Sequence, residues 1–348
     1  MNFKVLNDII SKFKIEHGNY SFKQISQGYI NDTYLVSLNG FPTYLLQRIN
    51  RNVFKDIQGL HKNITQVLSK LIAIDYQKIE LFSTIKEAPY LLENENCWRI
   101  LNFVNDSSAH NYTNNAKIAS EAGRVIGTFH QLLSNEVSSD YVETVRDLNY
   151  LPFRIQEFKE ALKNTSQDLK EKAFSQIEFG LANLNIFDDF YDADLPLRIC
   201  HNDTKLNNLL FDQDDDGLCL IDLDTIMPGY FHYDFGDAVR TVVSESNEDE
   251  KKLERIKFNI SLFENFINGL QKSKINLSPK EISYLPISCA LMPFMHGLRA
   301  LTDYLNGNIY YKVTYPEQNL DRCKSLFRFA FLALEKQKQI KEIIAKKF

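Results

Sequence analysis

Between residues 201 and 224 the chain reads HNDTKLNNLLFDQDDDGLCLIDLD, and this segment gathers the acidic and amide side chains best suited to chemistry. LLF at 209–211 and LCLID at 218–222 are apolar runs of strand length, separated by a polar turn from Asp212 to Gly217, so a β-hairpin is expected. His201 and Asp203 precede the first strand, Asn208 stands at its start, and Asp222 and Asp224 leave the second. Being two apart, Asp222 and Asp224 would face one side of an extended strand. Carboxylates brought to one end of a hairpin repel each other unless a cation joins them. Mg²⁺ takes oxygens from one or two carboxylates plus substrate phosphates, and an Asp outside the metal shell is then free to act as a base. The competing reading is an ordinary hairpin with an Asx-rich turn, because Asp and Asn favour loops on their own account.

The order His201-x-Asp203-x₄-Asn208, followed by a strand ending in Asp222, is the order of catalytic loop and metal-binding Asp in kinases. On that pattern Asp203 takes the acceptor proton, and Asn208 and Asp222 hold Mg²⁺. Two neighbouring patterns mislead. Asp212-x-Asp214-x-Asp216-Gly217 copies the opening of a calcium loop, but its twelfth position is Leu223 where a bidentate Glu is required. Asp234-Phe235-Gly236 spells the kinase metal triplet but lies well past the hairpin; Asp234 is expected either to cap a helix starting near Gly236 or to brace the loop by accepting backbone N–H bonds.

These residues need elements to hold them. With 348 residues, 44% hydrophobic and 24% charged, the chain is long enough for two domains with sizeable cores. A net charge of −5 offers no broad basic surface, so neither nucleic acid nor an anionic membrane is expected as a partner. A small-molecule substrate fits better, with the protein a monomer or homodimer. The five cysteines are scattered without paired spacing, so buried thiols are expected and not disulfides or zinc. The N-terminus has no uninterrupted apolar region and no stretch reaches about 18 apolar residues, which gives a cytoplasmic expectation.

Apolar positions at Phe3, Leu6, Ile9, Ile10 and Phe13 predict an amphipathic helix over 2–15. Short strands then follow through residue 49, with a turn at Asn39-Gly40. A helix over 54–74 precedes three further strand segments, KIELFST, PYLLEN and CWRILNFV. Helices are predicted over 114–134, 152–184, 235–271, 279–305 and 317–345. The fold expected is therefore α+β and two-lobed: a small antiparallel-sheet lobe, 1–104, and a larger, mostly helical lobe, 105–348, with a cleft between them and a hinge over Phe103 to Ser108. Gly28, between the first two strands, could let backbone N–H groups approach phosphates. Asn102 and Val104, beside the hinge, join it as expected nucleotide contacts.

GYINDTY at 28–34, LLQRIN at 45–50, HNDTKLNNLLF at 201–211, IDLDTIMPG at 221–229, YDFGDAVR at 233–240 and RALTDYLNGNIYYKVTYPEQNLDR at 299–322 carry a resemblance through both lobes. The chain resembles the aminoglycoside phosphotransferase and choline kinase superfamily, whose fold is similar to that of protein kinases, and within it N-acetylhexosamine 1-kinases. The resemblance implies ATP- and Mg²⁺-dependent phosphorylation of the anomeric hydroxyl of a free N-acetylhexosamine. It implies Asp203 as catalytic base, Asn208 and Asp222 as Mg²⁺ ligands, Asp224 as a second acidic group near metal or sugar, and Arg299 and Tyr310 as sugar-facing residues.

Two positions depart from the family pattern. Tyr29 stands where relatives carry a sugar-facing His, and Gln47 stands where many kinases carry a phosphate-binding Lys, with Arg48 expected on the opposite strand face. Three rival readings follow. One is a kinase acting on an aminoglycoside, choline or homoserine, for which Glu245, Glu248, Asp249 and Glu250 could form an acidic floor. That run reads otherwise as a solvated helix start. The second is a nucleotide-binding protein without catalysis, motivated by Gln47; the third is a metal-dependent hydrolase.

Overall fold

The computed structural model describes residues 3–25 and 30–348, so the expectations at Gly28 and Tyr29 lie outside the described residues. The chain divides into two compact units. One runs from the N-terminus through Ser107 and takes in Ser139–Arg146; the other comprises Ser108–Ser138 and Asp147–Phe348.

The first unit contains α1 (Phe3–Ile10), β1 (Tyr20–Ile25), β2 (Asp32–Leu38), β3 (Phe41–Ile49), α2 (Ile57–Leu68), β4 (Leu81–Phe82), β5 (Leu91–Glu93) and β6 (Asn96–Asn102). Its antiparallel sheet has the order β1-β2-β3-β6-β4, with β5 also paired to β6. Strand alternation sends Tyr34, Val36, Leu46, Trp98 and Ile100 to one face, where they form a core with Leu6, Ile9 and Ile10 of α1. The turn between β2 and β3 has positive φ at both Asn39 (52°) and Gly40 (91°), the conformation an Asn-Gly hairpin turn adopts. Ser139–Arg146 joins this unit because the buried Asn63 side chain bonds both backbone groups of Val142: its Nδ2 donates to the carbonyl at 2.7 Å and its Oδ1 accepts from the N–H at 3.0 Å.

The second unit contains α3 (Ala116–Leu132), α4 (Leu151–Asn164), α5 (Gln167–Lys172), α6 (Phe174–Ala182), α7 (Asp188–Tyr191), β7 (Arg198–Cys200), β8 (Leu209–Phe211), β9 (Gly217–Leu220), β10 (Met227–Gly229), α8 (Phe231–Val242), α9 (Ile260–Lys272), α10 (Pro279–Leu305), α11 (Gln318–Glu335) and α12 (Gln337–Ala345). Helix α3 can lie against α9 because glycines meet there. A Cβ on Gly269 would come within 1.7 Å of the Ser120 carbonyl oxygen, and one on Gly123 within 2.1 Å of that of Phe266. A capping box at Ser278 and Glu281 starts α10, which runs through Pro286 and Pro293.

Three of the predicted long helices are broken; the 317–345 stretch is α11 and α12, which meet at Lys336. The 152–184 stretch is three helices, α4 to α6, because Thr165 and Ser166 are extended and the Ser166 hydroxyl caps α5. The 235–271 stretch is α8 and α9, separated by residues 243–259. There Ser244 and Ser246 bond each other, Glu245 takes a φ of 56°, and Asn259 caps α9. Short polar side chains that satisfy backbone or one another compete with the helix ladder, a local effect that apolar periodicity does not register. No described helix is long and apolar enough to cross a membrane. All five cysteines are free and buried.

Candidate active site

The hairpin forms as β8 paired antiparallel to β9, Leu209 opposite Leu220. Its turn is closed by Asp212, whose Oδ1 accepts the N–H groups of Asp214 (2.9 Å) and Asp216 (2.8 Å), while Lys117 pairs with Asp216 at 2.8 Å. Asn208 ends a short 3₁₀ turn before β8, and its carbonyl accepts from Ile221 N at 2.8 Å, extending the ladder by one pair.

The second strand stops at Leu220, and Asp222 takes a left-handed conformation, φ 61° and ψ 61°. The expectation that Asp222 and Asp224 share a strand face is therefore corrected. Asp222 is exposed and Asp224, inside the following 3₁₀ turn, is buried. Period-two alternation applies only while the backbone stays extended, and a left-handed residue ends it.

Ahead of the hairpin, the loop 201–205 is pinned from behind by Asp234, in the first turn of α8. Its carboxylate accepts the N–H of His201 (2.8 Å) and of Asn202 (2.6 Å), and meets His130 Nε2 at 2.9 Å. The Thr204 hydroxyl donates to the Asp234 carbonyl at 2.5 Å. Of the two roles expected for Asp234, bracing the loop is the one seen; the helix begins at Phe231, too early to be capped from 234. His130, Cys200 and Asp234 lie within metal-ligating distance of one another. This is nevertheless a hydrogen-bonded brace: the Asp234 oxygens are taken, and burial, then the Asp234 charge, pushes the Cys200 thiol well up so that it stays protonated.

The pinned loop presents Asp203. Its Oδ2 accepts from Lys205 Nζ at 2.7 Å and from Asn208 Nδ2 at 2.8 Å. Burial opposes the Lys205 charge, but Asp203, Asp222 and Asp237 outweigh it and raise the ammonium well above the ordinary lysine range. The ammonium is thus held in the field of Asp203 and Asp222 together. Asn208 spends its amide N–H on Asp203 and retains a carbonyl oxygen. With the Asp222 carboxylate this makes an all-oxygen donor set of the kind Mg²⁺ takes, so the residues present fit that ion.

Behind Lys205 lies an ionic network, buried at Asp237 and Arg240 and half-buried at Glu248 and Arg322. Asp237 is bonded by Arg240 Nε (2.8 Å) and by His296 Nε2 (3.1 Å); Arg240 continues to Glu248 at 2.5 Å, and Glu248 to Arg322 at 2.6 Å. Burial raises the Glu248 carboxyl, but Arg322 and Arg240 outweigh it and hold the group at about 2. Farther along α10, the buried Asp303 carboxylate accepts the backbone N–H groups of Tyr310 (2.8 Å) and Tyr311 (3.0 Å) and an amide N–H of Asn319 (2.8 Å). Tyr310, 55% exposed, is presented on that loop, while the Arg322 guanidinium lies over the Tyr311 ring, 4.6 Å from its centroid. Arg299 is one helical turn beyond His296, and among the described residues it makes no hydrogen bond or ion pair.

Residues 21–255 match the model of the family described as "Phosphotransferase enzyme family", about two thirds of the chain. The chain belongs to this phosphotransferase family. Solved structures share its kinase-like fold, an N-terminal antiparallel-sheet lobe with a larger helical C-terminal lobe. A microcompartment-associated aminopropanol kinase superposes with a TM-score of 0.65 at 13% identity, covering 98% of this chain and 99% of that one. Spectinomycin phosphotransferase, in complex with ADP and spectinomycin, gives 0.61 at 11% identity, covering 96% and 99%. Choline kinase from Cryptosporidium parvum gives 0.59 at 16% identity, covering 98% and 97%.

In this phosphotransferase, Gln47 sits in the sheet of the first unit, its Nε2 donating to Thr33 Oγ1 at 3.2 Å and its Oε1 accepting from Arg99 Nε at 2.8 Å. Arg48 faces the other way, as alternation requires, and pairs with Asp32 at 2.8 Å. The Asn102 side chain holds the preceding segment by accepting from Glu80 N at 2.7 Å, and the Val104 carbonyl accepts from the Ser107 hydroxyl at 2.7 Å. The phosphotransferase motif reading passed over Lys205, Arg99, the Asp237 network and Asp303. One signal for Asp303 was available. An acidic residue in the last turn of a helix opposes the macrodipole and has to be held there by something else.

Proposed function

We propose that this phosphotransferase transfers the γ-phosphoryl group of ATP, with Mg²⁺, to the anomeric hydroxyl of a free N-acetylhexosamine, giving the sugar 1-phosphate. The observation that carries the choice of a neutral acceptor is the fate of the 245–250 acidic run. Glu248 lies between Arg240 and Arg322, Glu245 bonds Asn259, Asp249 accepts from Gln318, and Glu250 accepts the Lys252 N–H. The run that could have formed an acidic floor for an aminoglycoside or choline is thereby engaged with internal partners, with Glu248 paired to two arginines. Arg299 and Tyr310 offer a sugar what it needs instead: guanidinium donors for its oxygens, and a hydroxyl with an apolar ring face.

In this reading Asp203 accepts the proton of the sugar hydroxyl as that oxygen bonds to the γ-phosphorus. The bond from the γ-phosphorus to the β–γ bridging oxygen breaks and ADP leaves. Asn208 orients Asp203 through its amide N–H, and Lys205 Nζ donates to the same carboxylate oxygen. Mg²⁺ bound by Asn208 and Asp222 would offset the phosphate charge. Gly28, Gln47, Asn102 and Val104 are assigned to the nucleotide, and Tyr29 and Asp224 to the acceptor, by sequence pattern.

The test is ADP release with Mg²⁺ and ATP across N-acetylglucosamine, N-acetylgalactosamine, other free sugars, choline and an aminoglycoside, with phosphorus NMR locating the new ester. Turnover restricted to N-acetylhexosamines with phosphate on carbon one is expected. A phosphate on carbon six, or preferential turnover of a cationic acceptor, would overturn the acceptor assignment.

A further inference from the structure

Helix α10 carries a second polar side chain beside Arg299. His296 and Arg299 are three residues apart, so they share one face of the helix, with Cβ atoms about 5–6 Å from each other. Arg299 is half-buried and, among the described residues, makes no hydrogen bond or ion pair; its charge bears on the His296 imidazole.

His296 is fixed from its other edge. Its Nε2 lies 3.1 Å from Asp237 Oδ1, an oxygen that also accepts from Nε and Nη2 of Arg240 at 2.8 and 2.7 Å. Burial opposes the Asp237 charge, but Arg240 and then His296 outweigh it and keep the carboxyl well below its ordinary range. An ionised carboxylate can only accept, so Nε2 carries the proton. Burial, then the Arg240 charge, holds the imidazole down at about 4, so the ring is neutral at pH 7 and Nδ1 presents a lone pair. Among the described residues Nδ1 makes no hydrogen bond, it is not an enclosed atom, and 11% of the side chain is open to solvent. The Asp237 charge also bears on Lys205, which donates to Asp203, so one carboxylate ties this helix face to the base.

The face therefore offers a fixed acceptor and, one turn on, the donors of a guanidinium. A secondary amide is the complement: it carries an N–H and a carbonyl oxygen on opposite edges of one rigid plane, whereas a hydroxyl has only a single oxygen. We infer that His296 is a specificity-determining residue for the acceptor's acetamido group, Nδ1 accepting the amide N–H while Arg299 donates to the amide carbonyl. The inference rests on the N-acetylhexosamine reading above and names the contact that would set such sugars apart from those without the amide.

The test compares kcat/KM for the preferred N-acetylhexosamine with that for the matching 2-deoxy sugar, which keeps the anomeric hydroxyl and lacks the amide. Melting curves are the folding control. His296→Leu leaves the amide N–H without an acceptor and should lower kcat/KM for the N-acetyl sugar about 10- to 100-fold, with the 2-deoxy sugar unchanged. His296→Gln can donate to Asp237 through its amide nitrogen and accept through its oxygen, and should keep most of the preference. Parallel loss for both sugars, or an unchanged preference in His296→Leu, overturns the inference. If His296→Leu does not fold, the wild type is assayed with the N-acetyl sugar methylated on its amide nitrogen, which keeps the carbonyl but has no N–H. Turnover about tenfold or more below the parent sugar is expected, and equal turnover overturns the inference. A wild type that phosphorylates no N-acetylhexosamine would instead sink the acceptor reading itself.

Discussion

Two loops of the second unit are held by the same device and present different side chains. In each, one buried carboxylate accepts two consecutive backbone N–H groups: Asp234 those of His201 and Asn202, Asp303 those of Tyr310 and Tyr311. Behind the first loop the anchor is itself locked, through His130 and the buried Thr204 hydroxyl, and the presented group is a carboxylate in a dense field of charge. Behind the second, the anchor is shared with Asn319, and the presented side chain is an exposed tyrosine. A reacting group has to be fixed to within a fraction of an ångström, and enclosure does this. A group that contacts a variable acceptor needs a fixed backbone and a free face.

The comparison can be broken by substitution. Asp203→Asn is expected to have the largest effect, lowering kcat by about 10² to 10⁴ with little change in acceptor KM, as loss of a positioned base does. Steady-state ADP release measures it, and an unchanged kcat removes Asp203 from the base role. Next comes Asp234→Ala, which leaves two buried N–H groups and His130 without their acceptor and should cost about 3–5 kcal/mol in chemical denaturation, with a fall in kcat among molecules that remain folded.

The matching change in the other loop, Asp303→Asn, should raise the acceptor KM about tenfold, a loss of roughly 1.4 kcal/mol in binding, while leaving ADP affinity and kcat near wild type. If Asp303→Asn lowers kcat and spares KM, the second loop serves chemistry and the contrast fails.

Acid should act through the network beside the first loop. Burial holds the imidazoles of His296 and His232 down at about 4, against an ordinary 6.5. The unfolded chain therefore binds protons there that the folded chain does not, and stability falls as pH drops from 6.5 to 4. Glu248, held at about 2 against an ordinary 4.5, contributes stability above 4.5 that is lost as pH falls toward 2. Melting temperature should decline across the first window, with a shallower slope in His296→Gln. An identical slope in that variant would place the proton uptake elsewhere. The smallest effect is expected for Tyr310→Phe: stability within about 0.5 kcal/mol, as for exposed positions generally, and a few-fold change in acceptor KM.

The first loop was legible because its chemistry is encoded at short range. His201, Asp203 and Asn208 occupy one turn and a strand start, and the apolar runs beside them predict the hairpin that forms. Asp222 was legible as a residue but not in its conformation: two carboxylates spaced by two read as one face only if the strand continues, and it stops at Leu220. The second loop was legible only through resemblance, because its anchor and the tyrosines it holds are seven and eight residues apart with an irregular segment between them. The helix breaks after Val242 and Asn164 were missed for a related reason, since serine and asparagine side chains decide them and apolar periodicity continues through both.

By itself the sequence determined the grouping of His201, Asp203 and Asn208 ahead of a hairpin, the small antiparallel sheet ahead of a helical region, and the opposite strand faces of Gln47 and Arg48. These depend on residue type, local spacing and strand alternation, all of which operate over a few residues. Tertiary structure alone decided that Arg99 stands beside Gln47, 52 positions away in the chain, that Asp234 braces the 201–205 loop from 32 and 33 positions away, and that Glu248 is paired with two arginines. Cross-strand register and the burial of charge are properties of packed elements, and a partner for a buried charge is selected by proximity in the fold and not along the chain.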